Sequence, residues 1–226
     1  MRPVSYILYN YILKPVFRIY LKFNIRTRFD GFRITVLKGV FHPKLFFSTK
    51  YIYEFLEGLG LDNKKFLEIG SGTGVLGLLA RRKGAAVTSV DIDPRAVENT
   101  RVNFSLNFKN DPLVDVMQSD VFSNLQKHRF NFILINPPYY FKPVKVNSQY
   151  AWYCGENGEF FEALFGGLKD HVLPGFEAYM VLEEGCDLDR IRSIAGKYRV
   201  TLQEVDERLI RWERNFIFRL NILAEK

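Results

Sequence analysis

From Lys65 onward the apolar positions fall into short runs that alternate between strand-like and helical spacing. Lys65–Ile69 reads as a strand, Gly70–Gly74 as a turn, and residues 75–83 as a helix. Residues 85–90 form the next strand, closed by Asp91-Ile92-Asp93-Pro94, and Pro94 opens a helix to about Leu106. Residues 113–118 make a third strand ending in Ser119-Asp120-Val121-Phe122, and Phe130–Ile135 a fourth. A helix over residues 160–172, a strand over 176–182 and a helix over 188–198 follow. The chain then alternates as a hairpin, residues 199–206 and 215–223. This order predicts an α/β fold with a mainly parallel sheet, an antiparallel edge, and helices on both faces.

Before Lys65 the pattern differs. Residues 3–26 read as a helix, or two joined at Pro15, with Asn10, Lys14, Arg18, Lys22 and Arg26 recurring every four positions as one polar stripe. Such a stripe fits a solvated face, an RNA- or ribosome-contacting arm interleaved with tyrosines, or a helix lying on a membrane surface. The Asp30-Gly31 turn and the alternation of Phe32–Val36 predict a small β element. Ser48 or Thr49 is placed to cap a helix through Tyr51, Ile52, Phe55 and Leu56 that ends near Gly58 or Gly60. The expected division is residues 1–50 as a basic, aromatic N-terminal helix with a small β extension, and 51–226 as the α/β domain.

Charge sharpens that division. Residues 1–50 hold ten Lys/Arg and one acid, a net of +9, whereas the other 176 residues hold 22 bases and 24 acids, a net of −2. The overall +7 therefore belongs to the N-terminal fifth. No apolar run reaches the length of about 20 residues that a membrane span needs. Lys14, Arg18 and Lys22 break the N-terminal apolar stretch, which argues against a secretory signal. Two cysteines, Cys154 and Cys186, point to a reducing, cytoplasmic setting and to buried thiols. His42, His128 and His171 have no metal-ligand spacing and read as solvated or capping residues, so no metal is expected. Trp152 and Trp212 read as rim or core aromatics.

The candidate chemistry lies at strand ends. Phe130–Ile135 stops abruptly on Asn136-Pro137-Pro138-Tyr139. Neither proline can donate to a ladder, which leaves the carbonyls of Asn136 and Pro137 available at the carboxyl edge. An amide side chain, free carbonyls and an aromatic ring suit a flat –NH2 group. Glu68 precedes Gly70-Ser71-Gly72-Thr73-Gly74, whose G-x-G-x-G spacing is not that of dinucleotide binders and carries no phosphate-binding lysine. The acid before the loop favours a cationic ligand. Asp91 falls about 20 residues on, where a carboxylate grips ribose hydroxyls. Asp93 is placed to cap the following helix, and Asp120 to accept from an adenine amino group.

These motifs resemble the class I S-adenosylmethionine-dependent methyltransferases over residues 64–139. The resemblance implies a Rossmann-like seven-stranded sheet with the last hairpin antiparallel. It implies S-adenosylmethionine as cofactor, held by Glu68, Gly70, Ser71, Gly72, Thr73, Gly74, Asp91, Ile92, Asp120, Val121 and Asn136. It also implies Asn136, Pro137, Pro138 and Tyr139 as the catalytic set of an N-methyltransferase. In that set Asn136 Oδ1 and the Pro137 carbonyl hold an amino group, and Tyr139 stacks on it.

Three further stretches are similar to the release-factor glutamine-N5 methyltransferases: Ala151–Gly158, Gly39–Pro43 with Ser48-Thr49, and Glu213–Arg219. The substrate implied is a glutamine amide in a protein such as a translation release factor. Small RNA methyltransferases share the tetrad, and for them the basic arm is the natural tool against rRNA or tRNA, on guanine N2 or adenine N6. A non-catalytic binding protein is the third class, and an intact tetrad argues against it.

Overall fold

A computed structural model describes residues 23–43, 47–126, 128–210 and 213–224 of the chain. Two strands come first: β1 (Ile25–Phe29) and β2 (Phe32–Val36) pair antiparallel as a separate two-stranded sheet. Asp30 and Gly31 join them, both at positive φ (44° and 83°), the twist that tight hairpins favour. The helical reading of residues 3–26 fails at its end, because Ile25 and Arg26 pair with Val36 and Thr35. The rest of that stretch, from residue 3 to 22, lies outside the described residues, as does Trp212.

Helix α1 (Phe47–Glu57) leads into β3 (Lys65–Ile69), α2 (Val75–Arg82), β4 (Ala86–Asp91), α3 (Pro94–Asn107), β5 (Val114–Gln118) and β6 (Phe130–Ile135). Helix α4 (Glu159–Leu168), β7 (Val172–Glu183), α5 (Leu188–Lys197), β8 (Val200–Ile210) and β9 (Glu213–Ile222) complete the chain. The main sheet has seven strands in the order β5-β4-β3-β6-β7-β9-β8. The pairs β3–β4, β4–β5, β3–β6 and β6–β7 are parallel, and β9 is antiparallel to both β7 and β8.

Side chains on this sheet alternate between two cores. Leu67, Ile69, Ile133 and Ile135 pack with Phe161, Leu164 and Phe165 of α4 and Ile191 of α5. Phe66, Phe132 and Leu134 pack on the other face with α1, α2 and Phe104 of α3. The Phe66 and Phe132 rings stack at 5.4 Å. A period of two over a sheet covered on both faces produces this, and it makes the central strands apolar throughout.

Several boundaries differ from the sequence reading. Helix α1 begins at Phe47, so Ser48 and Thr49 lie inside its first turn and do not cap it. Helix α4 stops at Leu168, a 3-10 turn follows, and Val172 already belongs to β7. The final strands are longer than their alternating stretches, because β8 carries a register shift between Glu204 and Asp206 that breaks the pattern.

Two histidines are not solvated. His42 is buried. His171 stacks on Phe122 at 4.4 Å while its Nδ1 contacts the Gly167 carbonyl at 2.8 Å, which gives it a helix-end role from a buried position. His128 is exposed as read. Cys154 and Cys186 are buried free thiols.

The hairpin β1–β2 is docked on α3. Asn99, Asn103 and Asn107 exchange hydrogen bonds with the backbone of residues 33–37. Asp30 adds a cluster beneath it, accepting from Tyr53 at 2.6 Å and from Arg82 at 2.5 Å.

Candidate active site

The strand order creates a crevice. From β3 the chain winds outward through β4 to β5, then returns to place β6 on the other side of β3. The loops leaving β3 and β6 therefore run apart, and such a switch point at the carboxyl edge is where open α/β sheets bind ligands. Here the two loops nearly touch. A Cβ at Gly70, whose φ is +79°, would lie 2.9 Å from the Asn136 carbonyl oxygen, so only glycine lets the glycine loop and the tetrad meet. A cavity of about 510 Å³ opens beside them.

Every residue of the expected cofactor and catalytic sets lines that cavity except Gly74. Gly74 instead precedes α2 at a φ of 74° and packs against Thr100. Asp91 fastens the loop: its Oδ2 accepts from the Gly72 N–H at 2.9 Å and its Oδ1 from the Asp93 N–H at 3.0 Å. Burial nonetheless pushes the Asp91 carboxyl up to about 6. Asp93 caps α3 as expected, accepting from the Arg95 N–H at 3.0 Å.

Asp120 is exposed at the cavity edge, and its pKa is raised by desolvation. Next to it Val121 adopts a φ of +48°, unusual for a β-branched residue. The buried Ser119 hydroxyl supports this bend, donating to the Val121 carbonyl at 2.9 Å and accepting from the Asn124 N–H at 3.0 Å.

Glu68 is the deepest acid. It is 1% exposed, and its Oε2 accepts from the Ser89 hydroxyl at 2.6 Å. Its Oε1 has no hydrogen-bond partner. Burial, which dominates, pushes its carboxyl up to about 8, against the pull of the Ser89 hydroxyl. Gly77 in α2 leaves room for the pair, since a Cβ there would lie 2.7 Å from both Glu68 Oε2 and Ser89 Oγ. Neither Ser89 nor Gly77 was singled out in the sequence. A serine inside Ala86–Asp91 and a glycine inside Val75–Arg82 were the available signals.

On the tetrad side, the Asn136 N–H reaches the Ile69 carbonyl at 3.4 Å. Among the described residues no backbone N–H donates to the carbonyls of Asn136 or Pro137, as the prolines predicted. The Tyr139 ring lines the cavity, and its hydroxyl donates to Asn136 Oδ1 over a long 3.5 Å. Ser48 contacts the same hydroxyl. Burial raises the Tyr139 pKa far above its ordinary value, so it stays a neutral donor.

The chain after the tetrad folds back on itself. The Tyr140 N–H donates to the Trp152 carbonyl at 2.9 Å, and the Cys154 N–H to the Tyr140 carbonyl at 3.0 Å. Trp152 meets Phe41 edge to face at 4.8 Å. Both flanking segments, Gly39–Pro43 and Ala151–Gly158, thus reach the mouth of one cavity.

These residues fit S-adenosylmethionine. The glycine loop presents bare backbone, and the charged cavity-lining residues among those described are six acids: Glu68, Asp91, Asp93, Asp120, Glu156 and Glu159. One of them carries a buried unpartnered oxygen. That acceptor set suits hydroxyls, amino groups and a positive charge, and it repels phosphates.

Comparison with known proteins agrees with this geometry. The pattern of the methyltransferase small domain family matches residues 31–152. A Methanocaldococcus jannaschii protein named for protein N5-glutamine methylation is 36% identical over 105 residues, covering 46% of this chain and 51% of that one. The chain spans about half, or less, of the length of the curated relatives it matches. Among solved structures, an E. cuniculi two-protein complex responsible for methylating a translation termination factor is similar with a TM-score of 0.60 at 19% identity. The match covers 82% of this chain and 99% of that one. A T. thermophilus 16S rRNA guanine-N2 methyltransferase, bound to S-adenosylmethionine and guanosine, is similar with a TM-score of 0.61 at 20% identity. That match covers 87% of this chain and 50% of the other. At such identities the two structures share the fold.

Proposed function

The chain belongs to the methyltransferase small domain family, an S-adenosylmethionine-dependent class I methyltransferase by its fold and glycine loop, and on that footing we propose that it methylates a planar –NH2 group, the side-chain amide of a protein glutamine. The observation that carries the reading is the meeting of Gly70 and Asn136 at the switch point, which sets a cofactor loop against an amide-binding turn. Glu68, the glycine loop, Asp91, Ile92, Asp120 and Val121 would hold the cofactor. When bound, it supplies an electrophilic methyl on a sulfonium.

The residues of the chain answer the harder half of the problem, an amide nitrogen whose lone pair is delocalised. Asn136 Oδ1 and the Pro137 carbonyl accept the two N–H bonds, which orients the nitrogen and favours its pyramidal form. Positioning of this kind supplies several kcal/mol of a barrier. The same two oxygens stabilise positive charge developing on nitrogen. Tyr139 holds Asn136 through its hydroxyl and closes one wall with its ring. The methylated nitrogen is acidic enough to pass its extra proton to water, so a strong general base is not needed.

The acids at the mouth, Glu156 and Glu159, support a peptide acceptor over a phosphate-bearing one. So does the local similarity to a relative named for glutamine methylation. A release factor is the partner this reading favours. The second reading is an RNA base amine, favoured by the aromatic rim of Phe41, Trp152 and Tyr153, on which an unpaired base can stack.

Labelled methyl transfer to fractionated lysate from cells lacking this chain separates the two. Label in protein that becomes N5-methylglutamine on hydrolysis supports the glutamine reading, and label in RNA replaces it with the second. In the same assay Asn136→Ala abolishes transfer while cofactor binding persists; unchanged turnover removes Asn136 from the chemistry.

A further inference from the structure

Beneath the glycine loop lies a buried polar pair that the proposed chemistry does not itself require. Glu68 and Ser89 sit opposite each other on β3 and β4, both essentially inaccessible, joined by a 2.6 Å hydrogen bond. Ser89 fixes Oε2, and Oε1 is buried without a hydrogen-bond partner among the described residues. Besides Ser89, the backbone N–H groups of Gly77 and Leu76 favour the charged form, and burial outweighs them. From β4, Asp91 is the titratable neighbour, and it is another acid. β6 pairs it with Leu134, and α2 sets Leu76 and Gly77 against it, none of which titrates. A buried carboxyl with an acid for a neighbour and no cation beside it among the described residues is favoured as the neutral form. A cation arriving in the cavity that Glu68 lines reverses that preference.

We propose that Ser89 is a positioning residue that holds Glu68 in the cavity wall, and that Glu68 gives up its proton to solvent as the positively charged cofactor binds. The inference rests on the cofactor reading above. The carboxyl O–H bond breaks, the proton passes to the buffer, and the carboxylate left behind faces a positive group of the ligand, sulfonium or ammonium. Ser89 then donates to a carboxylate, a stronger hydrogen bond than one to a neutral acid. Gly77 is part of the device, since a methyl at that position would crowd both partners.

Calorimetry of S-adenosylmethionine binding to the full chain tests this, run at several pH values in phosphate and in Tris, whose ionisation heats differ. The expected result is release of most of one proton per site at pH 7, fading with a midpoint near 8, and affinity that rises with pH up to that point. A midpoint near 6 would assign the proton to Asp91 and overturn the proposal.

Ser89→Ala should move the midpoint upward and weaken binding at pH 7 by about tenfold, the equivalent of one pKa unit. Ser89→Thr, which keeps the hydroxyl, should restore both. Glu68→Gln should bind more weakly and release no proton above pH 7. Binding of the wild-type chain without proton release, or a Ser89→Ala profile with an unmoved midpoint, overturns the proposal. The absence of any binding heat would instead overturn the cofactor reading.

Discussion

The side-chain amide of Asn103 does for Thr35 what a neighbouring strand would do. Its Oδ1 accepts from the Thr35 N–H at 2.8 Å, and its Nδ2 donates to the Thr35 carbonyl at 2.9 Å. Asn107 repeats the exchange with Arg33, at 2.9 and 2.8 Å, and Asn99 accepts from the Leu37 N–H at 2.6 Å. Four helical residues advance about 6 Å and two strand residues about 6.6 Å, so asparagines at every fourth position of α3 track the outward backbone groups of β2. The free edge of the hairpin is thereby closed. Asn103 Nδ2 also donates to the Thr73 carbonyl at 2.8 Å, which ties this seam to the glycine loop.

Asn103→Ala should therefore destabilise the protein by about 3 kcal/mol, since it strands several buried polar groups at once. Asn107→Ala, at the exposed end, should cost about 1 kcal/mol. Urea unfolding checks this through a lowered midpoint at unchanged slope. Equal losses for the two variants would show that the seam is not graded by burial.

Two glycines inside helices should respond in opposite directions. Glycine to alanine in a helix ordinarily stabilises by about 0.5–1 kcal/mol. Gly196→Ala in α5 should do so, because a Cβ there meets nothing within 4 Å. Gly77→Ala should destabilise and weaken cofactor binding, since the added methyl would press on Glu68 and Ser89 at 2.7 Å. Thermal unfolding of the pair, with and without cofactor, reads both effects.

Tyr139→Phe removes the donor to Asn136 Oδ1 while keeping the ring. The expected effect is a fall in kcat of about tenfold, the size of one modest hydrogen bond, with cofactor affinity unchanged. A loss as large as that of Asn136→Ala would mean that the hydroxyl contributes to the chemistry directly.

The cofactor-free protein should lose stability as pH rises. Burial lifts Glu68 from 4.5 to about 8 and Asp91 from 3.8 to about 6. A carboxyl whose pKa is higher folded than unfolded binds more protons in the folded state, so its contribution is complete below the unfolded value and is lost through the folded one. Stability should fall from about pH 4 to pH 8, with the upper part of the slope missing in Glu68→Gln. A thermal midpoint indifferent to pH over that window would refute the assignment.

Much of the site was legible because its residues stand at strand ends. Glu68, Asp91, Asp120 and Asn136 each stand at or next to the end of a strand, and parallel strands bring such ends to one edge. The seam of Asn99, Asn103 and Asn107 was not legible, because asparagine on a helix ordinarily signals a solvated face. Ser89 was hidden for the opposite reason: within a strand it reads as a solvent-facing position, and only α2 packing over it makes it a buried partner. The start of β1 is not legible because a period of four persists through Arg26 into residues that pair with β2.

The sequence by itself determined the α/β order, the turn residues, the acids after three strands and the proline-stopped strand, since each follows from local geometry and from the spacing of apolar positions. Which of these ends meet was decided only by the tertiary structure. Strand order depends on contacts between residues far apart in the chain, and the return of β6 to the far side of β3 is what sets Asn136 against Gly70. The upward shift of the Glu68 pKa was decided there too, because it follows from what α2 and β4 pack around a carboxyl that in the sequence is only an acid before a glycine loop.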